Sequence, residues 1–221
     1  MIEMTYEEIC RDHAVQVYIA QADAALDALG FTEHSFAHVT RVAKTAGSVL
    51  KQLGYSERDV ELAKIAGYLH DIGNVVNRVD HSQSGAVMAF RILDRMDFPP
   101  EEIAAIVSAI GNHDEGTGVP VSPLAAALII ADKSDVRRSR VRKKEDIHSD
   151  IHDRVNYAVT DATLEVFPQE DQILLSLDID PEISSVMEYF EIFTKRMLLC
   201  RKAAQRLNCA FRLKINGQLV A

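Results

Sequence analysis

The chain has 221 residues, enough for one or two domains, and a domain of this size buries roughly 70% of its unfolded surface without disulfide staples. Hydrophobic residues make up 48% and charged residues 26%, which argues against disorder, and three cysteines (Cys10, Cys200, Cys209) without a CxxC pair argue against a disulfide framework or a zinc ribbon. Lys plus Arg total 24 against 33 Asp plus Glu, and this net charge of −9 opposes non-specific binding to duplex DNA. The acidic stretch from Met1 to Asp12 does not read as a secretory signal, and no apolar run approaches the ~18 residues of a membrane span. The expectation is a soluble, cytoplasmic protein with no membrane partner.

In chain order, the first two thirds read as successive helices. Thr5 and Glu8 form a capping-box pair for a helix running towards Gly30. Ser35 caps a second, in which Phe36, Val39, Val42, Ala43, Ala46, Val49, Leu50 and Leu53 keep helical spacing before Gly54. Ser56 opens a third, which leads through Leu69 to His70, Asp71 and the breaker Gly73. A fourth spans about Ser82 to Met96, and Pro99 and Pro100 introduce a fifth. Gly111, Gly116, Gly118 and Pro120 mark a loop, after which Ser122 and Pro123 start a sixth helix through Leu128 to Asp132.

The last third changes character. Alternation around Thr163 to Phe167 and from Ile173 to Ile179 predicts a β-hairpin. A long amphipathic helix follows between Pro181 and Leu207, with Ile183, Val186, Met187, Phe190, Phe193, Met197, Leu198 and Cys200 on its apolar side. Phe211, Leu213 and Ile215 before Asn216-Gly217 predict a last strand and turn. The reading is a mainly α protein, a helical domain over 1–145 and a small α+β lobe over 146–221. The apolar stripe of the long helix must be covered, either by the rest of the chain or by a second copy in a homodimer.

The chemistry-bearing residues lie in the helical part: His38, His70, Asp71, His81, His113 and Asp132. Mixed imidazole and carboxylate donors suit Fe, Mn, Co, Zn or Ni, whereas Ca and Mg prefer oxygen alone. Apart from the His70-Asp71 doublet these residues are far apart in sequence, so helix packing must assemble them. Adjacent residues point about 100° apart around a helix, so His70 and Asp71 reach one centre only at a helix end, which Gly73 supplies. Asp132 follows the apolar run Ala125 to Ala131, where an unpaired carboxylate costs several kcal/mol, so it should face a cation or a full set of donors. His34 precedes His38 by one turn and can face the same pocket. Asp135, one turn beyond Asp132, reads equally as an exposed surface carboxylate or as a group that orients Arg41, Lys133 or a ligand histidine. His13, His148 and His152 sit in polar surroundings and read as solvated.

These residues resemble the HD-domain metal-dependent phosphohydrolases over roughly 35–140. The resemblance rests on His38, the doublet in "LHDIG" and Asp132 in "IIADKSD". It implies an HD-domain helical bundle in which His38, His70, Asp71 and Asp132 hold a metal ion. His81 in "DHSQSGA" and His113 in "IGNHDEGTG" resemble the two-metal subset, which implies that Asp71 bridges two divalent or trivalent transition-metal ions. The chain is most similar to bacterial diadenosine tetraphosphate hydrolases, through the His-x-x-x-Gly-Ala start of the fourth helix and the Arg soon after the final Asp. It also resembles the HD-GYP phosphodiesterases but departs from them at Asn74, Asn112 and Val119.

The implied activity is hydrolysis of a phosphoester or phosphoanhydride of a small phosphorylated substrate, of nucleotide type, by a metal-activated hydroxide. Asp71 and Asp132 are the expected catalytic carboxylates, and Lys133, Arg137 and Arg138 the expected phosphate-binding residues. The basic run Arg137 to Lys144 reads either as a solvated linker or as a phosphate rim. No aromatic residue interleaves it to stack RNA bases. Two other classes fit the fold: a non-catalytic nucleotide sensor or scaffold, and a di-iron oxygenase. No candidate ligand lies in the last third, which is expected to supply no catalytic group.

Overall fold

A computed structural model describes residues 4–142, 147 and 150–220. Thr5 and Glu8 close their capping box over α1 (Tyr6–Arg11), where the Thr5 N–H donates to the Glu8 carboxylate at 2.7 Å. The chain does not run on as one helix. The Asp12 carboxylate accepts the Val15 N–H at 3.0 Å and opens a separate α2 (His13–Ala28). Ser35 caps α3 (Phe36–Gln52) and Ser56 caps α4 (Glu57–Leu69), each by accepting a first-turn N–H. Next come α5 (His81–Arg95) and α6 (Pro100–Gly111), which start without a side-chain cap. Ser122 and Pro123 open α7 (Pro123–Lys133).

The bundle is built around α7. Every residue from Leu124 to Ala131 is buried, as a helix apolar all round must be. It packs on α3, α4 and α6, while α5 pairs with α6. Asp132 and Lys133 therefore leave the end of a central helix, inside the molecule. Two glycines permit the close approaches around the site. A Cβ on Gly67 would stand 2.7 Å from Ala43 Cα in α3, and one on Gly73 would stand 2.0 Å from the His81 carbonyl oxygen. Gly73 lies in the 3-10 turn Ile72–Val75 after α4, which rests on the start of α5. Asp80, just before α5, takes the left-handed φ of 56°, a conformation Asp tolerates better than most residues.

The C-terminal part begins with a short helix the sequence reading missed, α8 (Ile151–Ala158), capped by Asp150. The expected hairpin forms from β1 (Val159–Phe167) and β2 (Gln172–Ile179). The long helix, α9 (Val186–Arg206), starts later than Pro181 because Ser185 and Glu188 make a second capping box. It crosses over to β3 (Ala210–Ile215), which pairs with β2 in parallel. β4 (Gln218–Leu219) then turns back on β3 through Asn216-Gly217, both at positive φ. Ile173, Leu175 and Leu177 of β2 and Phe211, Leu213 and Ile215 of β3 share the buried face.

On α9 the buried stripe is Tyr189, Phe193, Met197 and Cys200, whereas Met187 and Leu198 of the expected stripe face outwards. That stripe is covered within the chain, since α9 packs on α7, and one apolar core runs from Tyr6 to Ile215. Lys143, Lys144 and His148, with the expected boundary near 145, lie outside the described residues.

Candidate metal centre

His38 comes from α3, His70 and Asp71 from the end of α4, His81 from the first position of α5, His113 from just after α6, and Asp132 from the last turn of α7. The fold brings all six together. One donor atom each from His38, His70 and Asp71 lies within 4.8 Å of the others, and so do those of His70, His113 and Asp132 and of Asp71, His81 and His113. The rings form a row that His34 extends: His34–His38 5.3 Å, His38–His70 5.2 Å, His70–His113 5.0 Å and His113–His81 5.1 Å between centroids.

Each imidazole uses its Nδ1 on an oxygen that can only accept. His38 Nδ1 is 2.7 Å from Asp135 Oδ2, His70 Nδ1 2.8 Å from the Gly67 carbonyl, His81 Nδ1 3.1 Å from that of Arg78, and His113 Nδ1 2.6 Å from that of Ile110. In the neutral imidazole the proton is therefore on Nδ1, which leaves Nε2 to turn a lone pair to the centre, the tautomer of a metal ligand. Nε2 of His38 and of His70 are buried without a hydrogen-bond partner among the described residues. Nε2 of His81 and His113 face each other at 3.2 Å, where two lone pairs repel unless a cation lies between. Two nitrogens on one ion, each ~2.0–2.1 Å from it, stand about 3 Å apart, so the spacing fits.

The Asp71 carboxylate divides its oxygens between the two ends of the row. Oδ2 lies 3.5 Å from His38 Nε2 and 3.3 Å from His70 Nε2, while Oδ1 lies 3.5 Å from His81 Nε2. Asp132 Oδ1 is 3.5 Å from His38 Nε2 and 3.7 Å from His70 Nε2. At 3.3 to 3.7 Å these contacts are long for hydrogen bonds and suit donors converging on ions. The donor set thus fits one ion among His38, His70, Asp71 and Asp132, and a second among Asp71, His81 and His113.

Electrostatics separates the two ends. Burial pulls the His70 imidazole down, but the Asp71 and Asp132 carboxylates outweigh it and push its pKa up to about 10. His38 is burdened by burial and Arg140, yet bonding to Asp132, Asp135 and Asp71 raises it. Burial, with the positive His70 and Lys133, drives His113 down to about 3, and burial lowers His81. Burial alone would raise the Asp71 and Asp132 carboxyls. His70 charge and imidazole bonding for Asp71, and Lys133 with His38 and His70 for Asp132, hold both well below the usual range.

The surrounding residues fix the ligands. Asp135 is buried and joins His38 to Arg137 Nε at 2.7 Å and Arg41 Nε at 3.2 Å, so it orients a ligand histidine. Asn74 Nδ2 donates to Asp71 Oδ1 at 3.0 Å. Lys133 Nζ sits between Asp132 Oδ2 at 2.7 Å and Glu115 Oε2 at 2.6 Å. Arg137 is turned to Asp135 and Glu33. Arg138 donates to the Tyr157 carbonyl at 2.6 Å and lies over the Tyr157 ring.

A cavity of about 360 Å³ adjoins the cluster through His34, whose Nε2 is 4.0 Å from Asp71 Oδ2. Arg78, Arg140, Arg196 and Glu115 line it with His34, and Asp150, His152, Asn156 and Phe193 complete its wall. The last third thus lines this neighbouring cavity, while none of the six donors comes from it, and His152 lies on the cavity wall with its side chain exposed. A larger groove of about 860 Å³ between α3 and β1 reaches Asp135 but none of the six donors. Asn74, Glu115 and Arg196 carry no sequence signal of a role. Only Asn74 and Glu115 sit inside motifs, "HDIGN" and "NHDEGTG".

Comparison with known proteins agrees with this arrangement. Residues 35–137 match the family described as HD domain, a span that contains all six donors and Asp135. The match supports the HD-domain superfamily. An uncharacterized protein of Methanocaldococcus jannaschii is 29% identical over 175 residues, covering 66% of this chain and 67% of that protein. Ribonuclease Y of Campylobacter jejuni subsp. doylei is 28% identical over 175 residues, 72% of this chain and 33% of that protein. Ribonuclease Y of Desulforamulus reducens is 34% identical over 119 residues, 50% of this chain and 22% of that protein. The chain therefore spans a third or less of these Ribonuclease Y relatives. The crystal structure of a predicted HD superfamily hydrolase from an uncultured Thermotogales bacterium is similar at a TM-score of 0.46 and 25% identity, covering 61% of this chain and 75% of that one.

Proposed function

We propose, from the HD domain over 35–137 and the donor geometry within it, that this protein is a metal-dependent phosphohydrolase acting on a small phosphorylated substrate of nucleotide type. The observation that carries the reading is the convergence of four Nε2 atoms on the buried Asp71 and the half-buried Asp132, every Nδ1 being already committed. Divalent or trivalent ions held there bring the pKa of water down towards ~7 and offset phosphoryl charge. The chain itself supplies the rest. Asp71 and Asp132 hold the centre, and Asp135 and the backbone carbonyls fix the imidazoles. Lys133 presents an ammonium beside Asp132. Arg78, Arg140 and Arg196 set three guanidinium groups on a cavity wall that also carries Glu115, Asp150 and Asp153, and they are better placed for phosphate oxygens than Arg137 and Arg138, which are turned to Asp135 and to the Tyr157 carbonyl.

Cavity size supports a small substrate over a polymer, since about 360 Å³ is the scale of a small-molecule site. The net charge of −9 points the same way. The test is metal analysis of untreated protein, followed by a hydrolysis screen of nucleotides, dinucleoside polyphosphates and short oligoribonucleotides. The screen is run before and after chelation and after adding back Fe, Mn, Co, Zn or Ni. Metal-dependent cleavage of a mono- or dinucleotide, lost in His70→Ala, is expected. Failure to load any ion would sink the proposal, and faster cleavage of oligoribonucleotides than of nucleotides would move it to RNA.

A further inference from the structure

Lys133 does not hold its place alone. Its ammonium is buried between Asp132 and Glu115, and the other oxygen of Glu115 accepts from Arg196 Nε at 2.9 Å. The charges alternate along one line: Asp132, Lys133, Glu115, Arg196. Glu115 sits in the loop between α6 and α7, so the side-chain grip of these two cations fixes it. Arg196 is itself fixed, because its guanidinium lies 4.5 Å from the centroid of the Phe193 ring one turn back on α9. Phe193 is anchored in the core. The line is thus pinned at one end by a metal-centre carboxylate and at the other by the C-terminal helix, 81 residues away from Glu115 in sequence.

We infer that Arg196 is a positioning residue, which through Glu115 holds the Lys133 ammonium against Asp132 and so makes the C-terminal helix part of the site. With Arg196 gone, Glu115 and the loop that carries it lose one of their two anchors, so Lys133 loses the carboxylate that backs it against Asp132. Kinetic consequences rest on the hydrolase reading above, but the placement of Lys133 does not.

The test compares full-length Arg196→Gln, Glu115→Gln and the charge-preserving Arg196→Lys with the parent. The first readout is the acetylation rate of Lys133 by N-hydroxysuccinimidyl acetate in metal-free protein, followed by peptide mass spectrometry. Lys133 should react several-fold faster in both Gln variants and within about twofold of the parent in Arg196→Lys. The second readout is kcat and KM on bis(4-nitrophenyl) phosphate with metal content measured alongside. Both Gln variants should keep their ions and lose roughly tenfold in kcat/KM, the lower end of what groups supporting a metal site contribute. Should Arg196→Gln fail to fold, Glu115→Gln decides, since it leaves α9 intact. Unchanged Lys133 reactivity in the Gln variants overturns the inference, as does loss of the ions themselves. A parent that hydrolyses no phosphoester refutes the hydrolase reading alone, because the acetylation rates stand independently of activity.

Discussion

The rings of His70 and His113 are 5.0 Å apart, and both give Nδ1 to a backbone carbonyl, yet they hold their protons very differently. His70, with its neighbour His38, lies among Asp71, Asp132 and Asp135, and its pKa rises to about 10. His113 has a donor atom within 4.8 Å of one on Asp132, yet burial and the positive His70 and Lys133 bring it down to about 3, while its neighbour His81 meets Asp71 Oδ1 at 3.5 Å and lies 4.0 Å from Asp114. The ligand chemistry is the same, so the balance of neighbouring charge makes the difference: two carboxylates act on His70, while the cations His70 and Lys133 add to burial at His113. One end of the row accepts a proton where an ion would sit. The other stays neutral and offers two opposed lone pairs. Loading the first end at neutral pH must release a proton, and loading the second need not.

The largest effect should come from the residue that both ends share. Asp71→Ala removes Oδ1 from one end and Oδ2 from the other, so it should abolish metal binding and hydrolysis together while the helical circular-dichroism signal persists. Retention of the parent's metal stoichiometry would refute a shared carboxylate. A smaller effect is expected from His113→Ala or His81→Ala. Each should lose about one ion per chain and keep the ion held by His38, His70, Asp71 and Asp132, as read by elemental analysis. If both variants keep full content, the two ends do not bind separately.

The subtlest test is pH. In metal-free protein His70 binds its proton more tightly folded than at its ordinary value of 6.5. Its stabilisation is complete below about 6.5 and is lost as pH rises towards about 10. His113 works the other way. The unfolded chain takes its proton first, so stability falls as pH drops from about 6.5 towards about 3. From these two groups alone, thermal midpoints of the chelated protein should peak near neutrality. Bound ions should remove the alkaline decline, because the neutral imidazole is the ligand. An alkaline decline that survives metal loading would separate His70 from the centre.

Local chemistry made much of this readable beforehand. Thr5 with Glu8, Ser35, Ser56 and Ser122 with Pro123 each satisfy first-turn donors from side chains next to them, so the helix starts could be placed from sequence. The histidine and aspartate set stood out because Asp132 follows an apolar run where a carboxylate has no reason to be unless it faces a cation. Asp12 went unread because the apolar spacing continues across it. α8 went unread because eight residues of mixed polarity carry no strong period. The parallel β2–β3 pairing depends on where α9 returns the chain, and the Lys133–Glu115–Arg196 line depends on α9 docking on α7. Neither contact has a local trace. The acceptors on Nδ1 of His70, His81 and His113 are main-chain carbonyls, which every residue possesses, so no side-chain pattern announces them.

The enclosure of α7 also sets an order of events during synthesis. Its walls include α9, which leaves the ribosome some fifty residues after Asp132 does. A nascent chain that has exposed His38, His70, Asp71, His81 and His113 holds every histidine of the centre but lacks the helix that locks Lys133 beside Asp132. Completion of the α7 surroundings is thus tied to completion of translation, and a chain stalled before about residue 200 has the α3, α4 and α6 walls of α7 but leaves its α9 side uncovered.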